Sequence, residues 1–203
     1  MANARIVLAS ASPRRRELLT AAGLEFEIDP ADVDESFDEA LAPTAAARLL
    51  AERKARTVLA RHAASDVVVL AADTIVALEA DGRARQKTLY LGKPADAGEA
   101  RLMLEALSGS RHVVVTGVCA LRSRGGRTAL EAETTWVTMR KLERSEIDAY
   151  VASEEWRDRA GGYAIQETAE RFVTRLEGGG FDNVVGLPVA LALECIRRVT
   201  TLA

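Results

Sequence analysis

Short apolar runs alternate with stretches of helical spacing along the chain. Residues 6–8, Ile-Val-Leu, read as a buried strand that gives way to Ala9-Ser10-Ala11-Ser12 and then Pro13. Proline suits the first helical position, where its missing N–H would be unpaired anyway, and Ser12 stands where an N-cap belongs. Residues 25–29 predict a short strand, 32–38 an acidic loop and 44–62 an Ala- and Arg-rich helix. The apolar stretch Val67-Val68-Val69-Leu70-Ala71-Ala72 marks a buried strand over 66–78, and Asp81-Gly82 reads as a hairpin turn. Leu91-Gly92-Lys93-Pro94 reads as a loop, followed by a helix over 96–107 that ends at Ser108-Gly109. A valine-rich strand over 111–121 turns at Gly125-Gly126 into a second strand over 129–139. There Thr134, Trp136, Thr138 and Arg140 face opposite to Thr135, Val137 and Met139. Ser145 is expected to cap a helix running to Val151, with further strands around Ala164 and over 172–176. Pro188 opens a last helix ending at Val199. This alternation predicts an α/β fold whose sheet is mixed, because the hairpin must be antiparallel.

Composition narrows the classes. The 203 residues suffice for one large domain or two close-packed lobes, and no linker or repeat divides them, so 1–203 is read as a single domain. A hydrophobic share of 48% with 28% charged residues is that of an ordinary globular protein. The net charge of −3, and nine aromatics (four Phe, three Tyr, two Trp) without a stacking motif, disfavour a nucleic-acid-binding module. No apolar stretch is long enough to span a bilayer, and Ser10 and Pro13 cut short anything resembling a signal peptide, so the expectation is a cytoplasmic protein with no membrane partner. Cys119 and Cys195 make no disulfide framework, in keeping with a reducing compartment. With only His62 and His112 present, a zinc site of the usual kind is nearly excluded; a metal would be held by oxygen, as magnesium or manganese is.

Several residues carry candidate chemistry. A strand, a turn of small residues and a helix N-terminus make an anion site, because free N–H groups and the positive end of the helix dipole point the same way. Arg14, Arg15 and Arg16 occupy that first turn against the dipole's preference for acids, which a phosphate chain would explain. Asp73 follows six apolar residues, so it is read as emerging from the end of a buried strand, where open α/β sheets place ligands; a plain strand-end turn residue accounts for it equally well. Glu35, in the acidic loop, reads as a solvated acid that could join Asp73 as an oxygen ligand. Lys54 shares a helical stripe with Leu50 and Val58, either buried and aimed at an anion or snorkelling to water. Lys93 follows a glycine that permits close backbone approach, a weak phosphate-loop signal. The chain has no P-loop and no dinucleotide glycine motif; Cys119, in a valine-rich strand, reads as structural.

Taken in order, Leu8-Ala9-Ser10-Ala11-Ser12-Pro13-Arg14-Arg15, Asp34-Glu35, Glu52-Arg53-Lys54-Ala55, Ala72-Asp73-Thr74-Ile75-Val76, Leu91-Gly92-Lys93-Pro94, Leu107-Ser108-Gly109, Tyr150-Val151, Gly162-Tyr163-Ala164-Ile165-Gln166 and Val184-Val185-Gly186-Leu187-Pro188 resemble the Maf family of nucleoside triphosphate pyrophosphatases, once described as septum-formation inhibitors. The resemblance implies a mixed central sheet flanked by helices, with two lobes around a nucleotide cleft. It implies hydrolysis of a nucleoside triphosphate to the monophosphate and pyrophosphate with Mg2+ or Mn2+. By resemblance Asp73 accepts the proton of the attacking water, Glu35 helps with metal or water, the two acids are the metal ligands, and Lys54 assists. Ser10, Arg15, Lys54 and Lys93 would hold the triphosphate. It also suggests a homodimer, which no residue of the chain establishes.

Arg14, Thr74 and Gln166 match the branch that resembles dTTP/UTP hydrolases rather than the 7-methyl-GTP branch, which tends to carry tryptophan at the first position and glutamate at the last. A glutamine amide offers the donor and acceptor that complement a uracil or thymine edge. One departure stands out: the family continues Ile-Gln-Gly, whereas this chain reads Gln166-Glu167-Thr168, putting a negative charge near an anionic ligand and a residue that avoids positive φ in the loop. The competing reading is a non-catalytic nucleotide sensor or cell-division regulator. Asp73 with Glu35 and two lysines is more than binding alone requires.

Overall fold

The computed structural model describes residues 4–80 and 87–201, so the Asp81-Gly82 turn lies outside the described residues. Among the described residues seven strands and six α-helices follow in chain order: β1 (Arg5–Leu8), α1 (Pro13–Ala21), β2 (Glu27–Ile28), α2 (Pro43–Arg61), β3 (Val67–Leu78), β4 (Leu89–Leu91), α3 (Ala97–Leu107), β5 (Arg111–Arg122), β6 (Thr128–Met139), α4 (Arg144–Ala152), β7 (Val173–Gly178), α5 (Phe181–Val185) and α6 (Val189–Thr200). The strands form one sheet in the order β2-β1-β3-β5-β6-β7, with β4 also paired to β3. β1 runs parallel to β2 and to β3, whereas β3–β4 and β6–β7 are antiparallel, so the sheet is mixed as expected. Among the described residues no helix is long and apolar enough to cross a membrane.

The chain divides into two compact units. One comprises Met1–Thr74, Thr116–Glu133 and Gly186–Ala203; the other comprises Ile75–Val115 and Thr134–Val185. In the first unit the two-residue period of β3 sorts its side chains onto opposite faces. Val68, Leu70 and Ala72 pack with Leu8, Leu19, Leu187 and the α6 residues Ala192, Cys195, Ile196 and Val199. Val67, Val69 and Ala71 pack with Val7, Ala9 and the α2 residues Ala51, Ala55 and Val58. Gly117 on β5 allows α2 to lie against the sheet, since a Cβ there would fall 2.2 Å from the Ala47 carbonyl oxygen. In the second unit α3 and α4 cover a core that includes Leu104, Leu107, Val137, Met139, Tyr150, Trp156 and Phe172.

Several local expectations need correcting. Ser12 is the N-cap residue of α1, but its side chain makes no capping bond. α4 is capped by Glu143 in a reciprocal box with Glu146, and Ser145 lies inside the helix. A glutamate can cap as Ser or Asp does because its carboxylate also accepts from an orphan N–H. No strand forms around Ala164, which lies between two 3₁₀ turns, Ala160–Gly162 and Thr168–Phe172. Leu91 is the last residue of β4 rather than loop. The short α5 falls where the sequence reading had no element. The facing of β6 is as expected: Thr135, Val137 and Met139 are buried, while Thr134, Trp136 and Thr138 are partly open.

Candidate active site

Asp73 lies within β3, not at its end, because β3 continues to Leu78. The register with β1 stops at Leu70 and that with β4 starts at Val76, so Asp73 and Thr74 occupy the stretch of β3 between the two. An isolated sequence shows where an apolar run stops, not where the strand stops. Val67, Val69 and Ala71 face α2, and Val68, Leu70 and Ala72 face α1 and α6, so Asp73 and Thr74, next in the alternation, inherit opposite sides.

On the α2 side, the buried stripe Pro43, Ala46, Ala47, Leu50, Ala51, Lys54, Ala55, Val58 places Lys54 inward. Its Nζ donates to Asp73 Oδ1 and lies 2.6 Å from Glu35 Oε1. Lys54 and Asp73 are each 7% exposed, so of the two readings of Lys54 the buried one holds, and its target is a pair of carboxylates. The loop carrying Glu35 is built locally. Asp34 accepts from the Ser36 N–H at 2.9 Å and from the Ser36 hydroxyl at 2.6 Å, which hold its carboxyl below the usual range. Arg53, beside Lys54 on α2, donates to the carbonyls of Asp34 and Ser36.

On the other side, Arg15 of α1 spends its guanidinium on three partners. Nε donates to the Gly186 carbonyl at 2.8 Å, Nη1 to Ser10 Oγ at 3.2 Å and Nη2 to Thr74 Oγ1 at 3.0 Å. Thr74 Oγ1 also meets Thr116 Oγ1 at 3.0 Å, and Ser10 Oγ accepts from the Ser12 N–H at 3.2 Å. Burial draws Arg15 below the usual arginine range, while the negative charges of Asp73 and then Glu35 oppose that shift. Arg14 is partly buried on the same first turn of α1. Sequence reasoning missed Thr116 and Gly186. A lone threonine beside a glycine within Val113-Val114-Val115-Thr116-Gly117-Val118 was the available signal for the first; Gly186, at φ 131°, reads only as a helix entry until its carbonyl is seen.

In the second unit Lys93 and Gln166 are both exposed, and their segments adjoin: the Gly161 N–H donates to the Gly92 carbonyl at 2.9 Å, and a Cβ on Gly162 would meet Pro94 at 3.5 Å. Glu167 sits at φ −125°, ψ −147°, so it needs no left-handed conformation, and its carboxylate accepts from Arg159 Nη2 at 2.8 Å. The extra negative charge expected there is therefore paired. Cys119 and Cys195 are buried and unbridged, and burial pushes their thiols up to about 12 and about 11, so neither is poised as a nucleophile.

Asp73 and Glu35 both reach the Lys54 ammonium. Among the described residues no group of three or more His, Cys, Asp and Glu is placed to hold a metal. Asp73 and Glu35 instead supply two hard oxygen donors, the set that suits Mg2+ or Mn2+ when phosphate oxygens and water complete the shell.

The family described as Maf-like protein matches residues 5–199. The dTTP/UTP pyrophosphatase of Anaeromyxobacter sp. (strain Fw109-5) is 45% identical over 197 residues, covering 96% of this chain and 89% of its own. That of Salinibacter ruber (strain DSM 13855 / M31) is 44% identical over 193 residues, covering 95% and 89%. That of Syntrophus aciditrophicus (strain SB) is 37% identical over 202 residues, covering 100% and 93%. With the family matched over almost the whole length and relatives at these identities, the chain belongs to the Maf-like protein family.

Proposed function

We propose that this protein hydrolyses dTTP and UTP to the monophosphate and pyrophosphate. The observation that supports it most is Lys54 set between the buried Asp73 and the exposed Glu35, in the same unit as the Arg15–Ser10–Thr74 cluster. The three named relatives above are all dTTP/UTP pyrophosphatases, and Arg14, Thr74 and Gln166 agree with that branch.

In this reading water attacks the α-phosphorus, the bond to the bridging oxygen breaks, and pyrophosphate leaves. Catalysis is then mostly positioning and charge compensation. Asp73 orients the water and takes its proton, with Lys54 fixing the carboxylate's direction. Ser10, Arg15 and Lys93 bind phosphate oxygens; Arg14, Thr74 and Gln166 set the choice of base. Asp73 and Glu35 would hold a divalent cation, which when bound supplies Lewis-acid stabilisation of the phosphate charge.

The test is pyrophosphate release from a panel of triphosphates with Mg2+ or Mn2+. The expected result is highest kcat/KM for UTP and dTTP. A purine preference overturns the substrate assignment, and no release from any common or modified nucleotide overturns the reaction.

A further inference from the structure

Gln166 stands exposed in the turn 164–167, closed by the Glu167 N–H donating to the Ala164 carbonyl at 3.1 Å. The chain on both sides of it is fastened to the second unit. Tyr163 Oη lies 2.8 Å from His112 Nε2, both buried. The Ala164 N–H donates to Tyr150 Oη at 2.9 Å. The Thr168 N–H and hydroxyl donate to the Glu155 carboxylate at 3.0 and 2.6 Å. Glu167 itself is tied to Arg159 Nη2 at 2.8 Å, with side-chain exposures of 35% and 16%. Arg159 also donates from Nε to the Glu155 carbonyl at 3.4 Å and accepts from the Gly162 N–H at 3.0 Å.

This is more anchoring than a surface turn needs. Arg159 Nη1 is buried without a partner, and a buried donor left unpaired is unfavourable. The fold tolerates that donor in the placement that puts Nη2 on Glu167. A glycine at 167 would leave the turn free to sample many backbone states, whereas Glu167, at φ −125° and held by an ion pair, is restricted. The residue that the held turn displays is Gln166.

We propose that the Arg159–Glu167 ion pair is a positioning device that fixes Gln166 for contact with the nucleotide base, and so contributes to base selectivity. The inference rests on the pyrimidine-triphosphate reading above. In that reading neither charge is assigned to the phosphates, so both are positioning residues. Their loss moves substrate affinity and selectivity rather than turnover.

The experiment measures steady-state pyrophosphate release from UTP, dTTP and CTP for wild type, Glu167→Ala and Glu167→Gln, with thermal melting alongside. The negative φ at 167 asks no left-handed conformation of alanine, so folding is expected to be retained. Glu167→Ala is expected to raise KM for UTP and dTTP roughly tenfold with kcat within about twofold, and to narrow the UTP-over-CTP preference by a similar factor. Glu167→Gln keeps an acceptor for Arg159 without the charge and falls between. A lowered melting temperature with unchanged KM and selectivity overturns the proposal, as does an equal loss in kcat for all three substrates. A wild-type protein that releases no pyrophosphate removes the pyrophosphatase reading and this proposal together; an active wild type with an indifferent Glu167→Ala removes this proposal alone.

Discussion

Replacing Lys54 with methionine isolates the charge interaction at the centre of the candidate site. Methionine keeps most of the stem's volume, so the packing of Lys54 among Leu50, Ala51, Ala55 and Val58 is largely preserved. The ammonium is what disappears. Side-chain exposure is 9% for Lys54, 10% for Asp73 and 50% for Glu35, so Glu35 can turn to water and Asp73 cannot. Removing one partner of a buried pair costs about 3–5 kcal/mol; with one of the two carboxylates half exposed, the lower end applies, about 3 kcal/mol. At a urea slope of about 2 kcal/mol/M that is a midpoint shift of about 1.5 M. Asp73→Asn in the Lys54→Met background removes the stranded charge and is expected to recover about 2 kcal/mol of it. Asp73→Asn alone leaves Lys54 paired with Glu35, costs about 1 kcal/mol and lowers kcat at least ~100-fold while the fold is kept. Far-UV circular dichroism should follow unfolding, because Trp136 and Trp156 both lie in the other unit and would report on that one. If Lys54→Met unfolds within about 0.5 kcal/mol of wild type, or if Asp73→Asn adds its own cost on top, the carboxylate is not held by a buried ammonium and the mechanism loses its anchor. Near wild-type turnover in Asp73→Asn removes Asp73 from the chemistry.

Two further outcomes concern the scaffold. Gly117→Ala puts a methyl group 2.2 Å from the Ala47 carbonyl, so α2 must shift and carry Lys54 with it; a loss of at least about 3 kcal/mol in urea unfolding is expected, with activity falling in step. His112 is fully buried, and burial holds its pKa near 4 against an ordinary 6.5. The unfolded chain therefore takes up a proton first, and stability is complete above pH 6.5 and declines as pH falls toward 4, by about 2–3 kcal/mol at roughly 1.4 kcal/mol per unit. His112→Gln should flatten that decline in tryptophan-monitored urea midpoints measured between pH 7 and pH 4.5; an equally steep decline in the variant assigns it to other groups.

Much of the fold was legible because long periodic segments declare themselves. The buried stripe of α2 and the alternation on β6 follow from spacing alone, as does the valine run of β3. What failed was local and had local causes. Ser145 looked like a cap because serine usually is one, yet Glu143 and Glu146 satisfy each other's backbone two residues earlier. Ala164 looked like a strand because its neighbours are apolar; its N–H goes instead to a tyrosine fourteen residues back, a contact that apolar periodicity does not report. The partners of Lys54 were equally hidden. The helical stripe left Lys54 either buried or snorkelling, and only tertiary structure says that it points inward and that Asp73 and Glu35 meet it there. For Thr74 the case is stronger still, since its neighbours Arg15, Thr116 and Gly186 lie 59, 42 and 112 residues away along the chain.

The two halves of the first unit's polar cluster are adjacent in sequence and opposite in direction, and the sheet makes them so. Asp73 continues the face of Val67, Val69 and Ala71, which packs on α2, so a carboxylate there meets the one lysine in the α2 stripe. Thr74 continues the face of Val68, Leu70 and Ala72, which packs with Leu19 of α1 and Leu187, so a hydroxyl there meets Arg15 and the Gly186 carbonyl. β5 repeats the division, with Thr116 bonded to Thr74 and Gly117 against the backbone of α2. A slip of one residue in the β1–β3 register would send Asp73 toward Arg15 and leave Lys54 facing a threonine hydroxyl, a buried ammonium without its carboxylate. The apolar alternation of β3 and the charge of Lys54 thus select the same register. The selection that packs the core also sets the site.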